Sequence, residues 1–220
     1  MSNAVGTKAS REEEIAFLAV EQVLGVDVWL ADAGADDKMP DGCLAYPGNR
    51  GRQGLVEVTS PPAERLLAEW ARTKRAGQPQ TESGSIPLRL NALAQVCAGM
   101  LDTRWAHQNF EKLLDQPVNE RHLFLFAQQH RDGSYFYGLS DSYEDRTGEQ
   151  VDDLVLPQGI SDVWFRDRAS RDADDPPGAT ELWLARFQAA SDWHRYTIRI
   201  EEQQLPAPNP SVMSRDMCLT

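Results

Sequence analysis

Residues 122–127, His-Leu-Phe-Leu-Phe-Ala, form an almost unbroken apolar run bounded by charge. Side chains alternate between the two faces of a strand, so a run without polar alternation requires apolar cover on both sides of its sheet. The run therefore predicts a fully buried strand in a mixed sheet flanked by helices.

The rest of the chain supplies those helices and further strands. Ser10 followed by Glu12, Glu13 and Glu14 opens a helix with a hydroxyl N-cap and acidic groups at the positive end of the dipole. Ile15, Leu18, Ala19, Gln22 and Val23 recur at helical spacing before Gly25 ends it. Residues 26–30 read as a strand and 32–38 as a loop; 42–46 and 54–59 read as a hairpin joined by the turn-rich 47–51. Pro61 and Pro62 suit the first turn of a helix over 63–75, and a polar linker follows at 77–85. Residues 90–114 read as one long helix with Leu93, Val96, Cys97, Met100, Leu101 and Trp105 on its apolar stripe. Strands are expected at 160–165 and 181–187, with an edge strand at 197–200 and acidic loops at 141–153 and 166–180. The order predicts one α/β domain over 10–204, and a proline-containing tail, 205–220, that is disordered or draped over the surface.

Composition narrows the function classes. With 220 residues and 41% hydrophobic content the chain can fill one core. Its 34 acidic and 22 basic side chains give a net charge of -12, which disfavours non-specific attraction to phosphate backbones. Nucleic-acid contact would have to be local, and Arg50, Arg52, Arg65, Arg72, Lys74 and Arg75 are the densest cationic supply. A partner protein is the other candidate. Three scattered cysteines fit reduced thiols, and neither a membrane-length apolar run nor a signal-peptide pattern is seen, so a cytoplasmic, membrane-free protein is expected.

Several chemistries have little support. His107, His122, His130 and His194 lack zinc-site spacing, and His122 reads as a hydrogen-bonded core residue. No nucleophile elbow, phosphate loop or dinucleotide fingerprint is present. Asp141, Tyr143, Asp145, Thr147, Glu149 and Asp152 have calcium-loop spacing, yet Tyr143 is a poor ligand and Arg146 occupies the position that demands glycine. Trp164 and Trp183 read as core, and Trp193 beside His194 is read as packing rather than a base-stacking surface.

One constellation points to a site. In 55–59, Leu55, Glu57 and Thr59 share a strand face, which puts a carboxylate in mid-strand. Such a group is costly to bury unless it is paired or binds a cation, and Asp41 of Met39-Pro40-Asp41-Gly42 lies a hairpin away. The pair suggests a divalent-metal site, although Pro-Asp-Gly is also an ordinary turn signal.

A helix carrying Glu, then Pro40-Asp41, then a strand bearing Glu57-Val58-Thr59, then a helix resembles the PD-(D/E)XK nuclease superfamily with its restriction-endonuclease-like core. The segments 57–59, 109–113, 120–124 and 159–164 are similar to an uncharacterised actinobacterial branch of that superfamily, with Glu-Val-Thr in place of Glu-x-Lys. The resemblance spans about residues 10 to 164. It implies that Asp41 and Glu57, with the Val58 carbonyl, ligate Mg²⁺ or Mn²⁺, and that Glu14, Glu13 or Glu21 assists. It also implies a metal-dependent nuclease acting on DNA or RNA, of the kind used in genome defence. Thr59 stands where the motif has lysine, so another cation, Lys74, Arg65 or Lys38, must swing in. The alternative is a catalytically inactive nuclease fold that binds a protein or nucleic-acid partner.

Overall fold

The computed structural model describes residues 9–31, 39–49, 51–59, 72, 75–77, 87–127, 130–166, 179–189 and 191–205. Helix α1, Arg11–Leu24, opens with a reciprocal cap. The Glu13 N–H donates to Ser10 Oγ at 3.2 Å and the Ser10 N–H donates to Glu13 Oε2 at 2.6 Å. It closes on Gly25, whose φ of 65° is left-handed and comes at little cost only to glycine.

Among the described residues, seven strands form one sheet in chain order. These are β1 (Asp27–Leu30), β2 (Gly42–Ala45), β3 (Gln53–Thr59), β4 (Glu120–Phe126), β5 (Asp162–Arg166), β6 (Ala179–Gln188) and β7 (Trp193–Glu201). β1, β2 and β3 are antiparallel, β3, β4 and β5 run parallel, and β5, β6 and β7 are antiparallel again. The class is therefore α/β with a mixed sheet. Helices α2 (Leu93–Leu101) and α3 (Arg104–Leu114) lie on the crossover between β3 and β4, as a parallel pair demands.

β4 is the middle strand and is covered on both faces, as the run at 122–127 predicts. Leu123 and Leu125 join Leu55, Val163 and Phe165 with Leu93, Cys97, Phe110 and Leu113 of α2 and α3. Phe124 joins Val56 and Trp164 with Ile15, Phe17 and Val20 of α1. Each such side chain contributes about 1.5–3 kcal/mol on leaving water, so the two layers rather than helix propensity hold the fold. The close seat of α1 depends on Gly42. A Cβ there would stand 2.9 Å from both Phe17 Cε1 and Val56 Cγ1.

Three expectations need correction. The single helix over 90–114 is two helices. Thr103, extended at φ -83° and ψ 150°, donates from Oγ1 to the Met100 carbonyl at 2.6 Å and accepts the Ala106 N–H at 3.4 Å. A hydroxyl cap thus restarts the helix and turns it. The acidic loop at 141–153 contains helix α4, Asp141–Thr147, which buries Tyr143 and ends on left-handed Gly148. The edge strand at 197–200 is the longer β7. A 3₁₀ run, His130–Leu139, stacks buried Phe136 on Phe165. The loop at 32–38, most of the 63–75 helix and 77–85 linker, the 167–178 segment and the tail beyond Leu205 lie outside the described residues.

At the outer edge of β1 the Val28 N–H donates to Glu21 Oε1 of α1 at 2.8 Å. No described helix is long and apolar enough to cross a membrane.

Candidate metal centre

The β2–β3 ladder closes at Gly42 opposite Val56, so the next opposed residues are Asp41 and Glu57. Here side chains replace backbone pairing. The Val58 N–H donates to Asp41 Oδ2 at 2.7 Å, and the Asp41 N–H donates to Glu57 Oε2 at 3.3 Å. The Asp41 carbonyl accepts the Ala31 N–H at 2.9 Å, which fixes the chain as it enters β2. Glu57 is 1% exposed, and Asp41 and Thr59 are also buried.

Helix α3 covers this corner. Ala106, Phe110 and Leu113 bury into the core, and Asn109 and Lys112, three residues apart, border that stripe. Lys112 Nζ donates to Glu57 Oε1 at 2.8 Å, and Asn109 Nδ2 donates to Thr59 Oγ1 at 2.5 Å. Glu57 and Thr59 thus point to the α3 face while Val56 and Val58 pack toward α1, the alternation the sequence predicts.

The Glu57 carboxyl is pushed up to about 8, first by burial and then by the Asp41 charge. Lys112 and the Asp41 N–H work in the opposite direction. Two facing carboxylates in a desolvated corner favour a bound cation, since a positive charge relieves both penalties. Hard divalent cations prefer such oxygen donors.

Asp41, Glu57 and Thr59 therefore meet at one place, with Val58 tied in through its N–H. The expected cations Lys74, Arg65 and Lys38 lie outside the described residues. Lys112, inside the 109–113 segment but not among the expected cations, stands on Glu57. Its signal is a lysine three residues after Asn109 and beside Leu113 on an amphipathic helix, and a helix face alone does not tell which strand residue it meets.

The helix-one acids are not brought to the pair. α1 packs on the other face of the sheet; Glu13 closes the α1 cap and Glu21 takes the Val28 N–H. The Glu14 carboxyl is raised by burial and then by Glu21. Among the described residues no group of three His, Cys, Asp or Glu side chains is arranged to hold a metal ion.

A second polar cluster lies near the opposite end of β3. Tyr46 Oη and Arg52 Nε both donate to Glu120, and buried His122 lies between Glu120 and Asp162, at 3.5 Å from each. Trp164 Nε1 donates to His122 Nδ1 at 3.2 Å, and Arg186 grips Asp162 Oδ1 at 2.6 and 2.8 Å. Arg52 is thereby engaged with Glu120 and lies over the Tyr46 ring, about five residues of strand away from Glu57. It does not reach the Asp41–Glu57 corner, and Arg50, Arg65 and Lys74 lie outside the described residues. Trp193 packs on Phe187 and donates to the Asp152 carbonyl at 3.0 Å.

No family model, curated protein or solved structure matches the chain.

Proposed function

We propose that this chain is a metal-dependent phosphodiesterase of the PD-(D/E)XK type, built on a restriction-endonuclease-like core. The observation that carries the reading is Lys112 Nζ at 2.8 Å from buried Glu57, beside Asp41. The strand position that the motif gives to lysine is Thr59, and α3 delivers a cation to the same corner. The order of parts also supports it, because α1, the Asp41 turn, the Glu57-Val58-Thr59 strand and a following helix adjoin one another around β3 and β4.

Asp41 and Glu57 would hold Mg²⁺ or Mn²⁺. When bound, the ion offsets charge on a scissile phosphate and acidifies a water. The chain's own groups have distinct tasks. Lys112 keeps Glu57 in place and presents positive charge to developing phosphate charge. Thr59, oriented by Asn109, offers a hydroxyl to a water or phosphate oxygen.

A second reading, a nuclease-like fold kept for binding a protein or nucleic-acid partner, is favoured by one specific feature. The Asp41 carboxylate satisfies the Val58 N–H just where β2 stops pairing, so the acid has a purely structural use.

Mn²⁺ calorimetry on wild type, Asp41→Asn and Glu57→Gln, paired with plasmid nicking by Lys112→Met and Lys112→Arg, separates the two. The enzyme reading expects Mn²⁺ binding that either carboxylate variant abolishes. It also expects nicking that falls at least about 100-fold in Lys112→Met, the order set by losing one transition-state contact, and partly returns in Lys112→Arg. A wild type that binds no Mn²⁺ at millimolar concentration leaves only the scaffold.

A further inference from the structure

His122 is fully buried, and neither of its ring nitrogens is well matched to its surroundings. Nδ1 accepts the Trp164 Nε1–H at 3.2 Å, so the ring proton sits on Nε2, and buried Nε2 makes no hydrogen bond among the described residues. Its neighbour there is Glu120 Oε2, at 3.5 Å. On the other side Asp162 Oδ2 stands 3.5 Å from Nδ1, so a carboxylate lone pair faces an imidazole lone pair. Arg186 does not relieve this, because both of its contacts go to Oδ1. One proton on Nδ1 corrects both sides. The ring then aims one N–H at Asp162 and the other at Glu120, and the Trp164 indole loses its acceptor. Burial opposes that charge and two adjacent carboxylates favour it, so the two forms compete.

The groups around the ring come from every neighbouring element. Glu120 also accepts from Tyr46 and Arg52, and its side chain, 20% exposed, joins the cluster to solvent. β6 supplies Arg186, whose guanidinium also lies over the Trp164 ring. β7 supplies Tyr196, tilted against Trp164, and His194, which pairs with Ser191. α1 packs on the same face, where its Glu14 and Glu21 act on each other and Glu21 takes the Val28 N–H. Trp164 in turn stacks on Phe124, so a change in its bonding is felt in the α1 layer of the core. We propose that His122 is a buried proton switch: neutral, it holds the Trp164 indole N–H, and protonated from solvent it releases that N–H and bridges Asp162 and Glu120.

The test follows the ¹⁵N-labelled full chain by NMR between about pH 5 and about pH 8, the range in which imidazole is the side chain that ordinarily changes charge. The Trp164 indole signal is identified by its loss in Trp164→Phe, and long-range ¹H–¹⁵N spectra show which nitrogen of His122 carries a proton. The switch expects one step shared by both residues. As pH falls, Nδ1 gains a proton while the Trp164 indole signal shifts and its N–H exchanges with D₂O roughly ten-fold faster than in neutral His122, the order set by losing one hydrogen bond. In Asp162→Asn the step should move lower by about one pH unit or more, since the charged ring loses a carboxylate. In His122→Gln, whose amide oxygen can accept the indole N–H at every pH, the Trp164 signal should stay still. A step that persists in His122→Gln overturns the switch. Should either variant fail to fold, wild type still decides: a His122 that keeps its single proton on Nε2 across the range, or a Trp164 signal that does not move with the ring, overturns the proposal, and Glu120→Gln repeats the downward shift from the solvent side.

Discussion

Glu57 concentrates the chemistry of this chain in one carboxyl group. In the folded, metal-free protein its proton is held up to about 8, against 4.5 for an ordinary glutamate. The folded state therefore binds that proton more tightly than the unfolded state. The acid places no burden on stability below about pH 4.5; the burden grows as pH rises toward 8 and levels off above it. Glu57→Gln should remove this slope. In chelated buffer its melting temperature, followed by circular dichroism, should gain on wild type with rising pH and match or exceed it above about 8. A parallel fall of both proteins would assign the slope to another group. The face of Glu57 and its proximity to Asp41 were legible, because alternation and a hairpin fix both. Lys112 was not, since the reach between residues 57 and 112 is made by the packing of α3 and leaves no trace in local spacing.

The elements repeat that division. β4 was legible from its apolarity and α1 from its cap, signals carried within a few residues. The break at Thr103 was hidden, because Leu93 to Trp105 keep helical spacing across it and only the threonine's own bonds show the turn. Helix α4 was hidden by its acidic composition, its anchor being the single buried Tyr143. Gly42 is the point where element meets element. Gly42→Ala places a methyl group against Phe17, Val56 and Val28 at 2.9 to 3.0 Å, and α1 must lift or the strands must shift. A loss of about 1–3 kcal/mol in urea unfolding is expected. Because Asp41 precedes it, the same substitution should also weaken the proposed Mn²⁺ binding, whereas a wild-type denaturation midpoint would show that α1 is less closely seated.

Taken whole, the molecule is a sheet with two separately packed faces, and its polar clusters lie near opposite ends of β3. The cluster around Glu120 acts as an acid-labile clasp. His122, Arg52 and Tyr46 hold that carboxyl down to about 2, and of these Arg52 and Tyr46 make the direct hydrogen bonds while His122 is 3.5 Å away. Its contribution is complete above about pH 4.5 and is lost as pH falls toward 2. Glu120→Gln should flatten acid unfolding in that interval, read by tryptophan fluorescence. An unchanged acid limb would place the sensitivity elsewhere. Glu21 bears on how copies of the chain treat one another. A sheet whose outermost strand leaves its amides bare offers a template to any neighbouring chain, and by holding the Val28 N–H the glutamate withdraws one donor and sets a negative charge beside it. Glu21→Ala should keep the fold at dilution but gain light scattering and thioflavin signal as concentration rises, and unchanged scattering would show that this carboxylate does not guard the sheet edge.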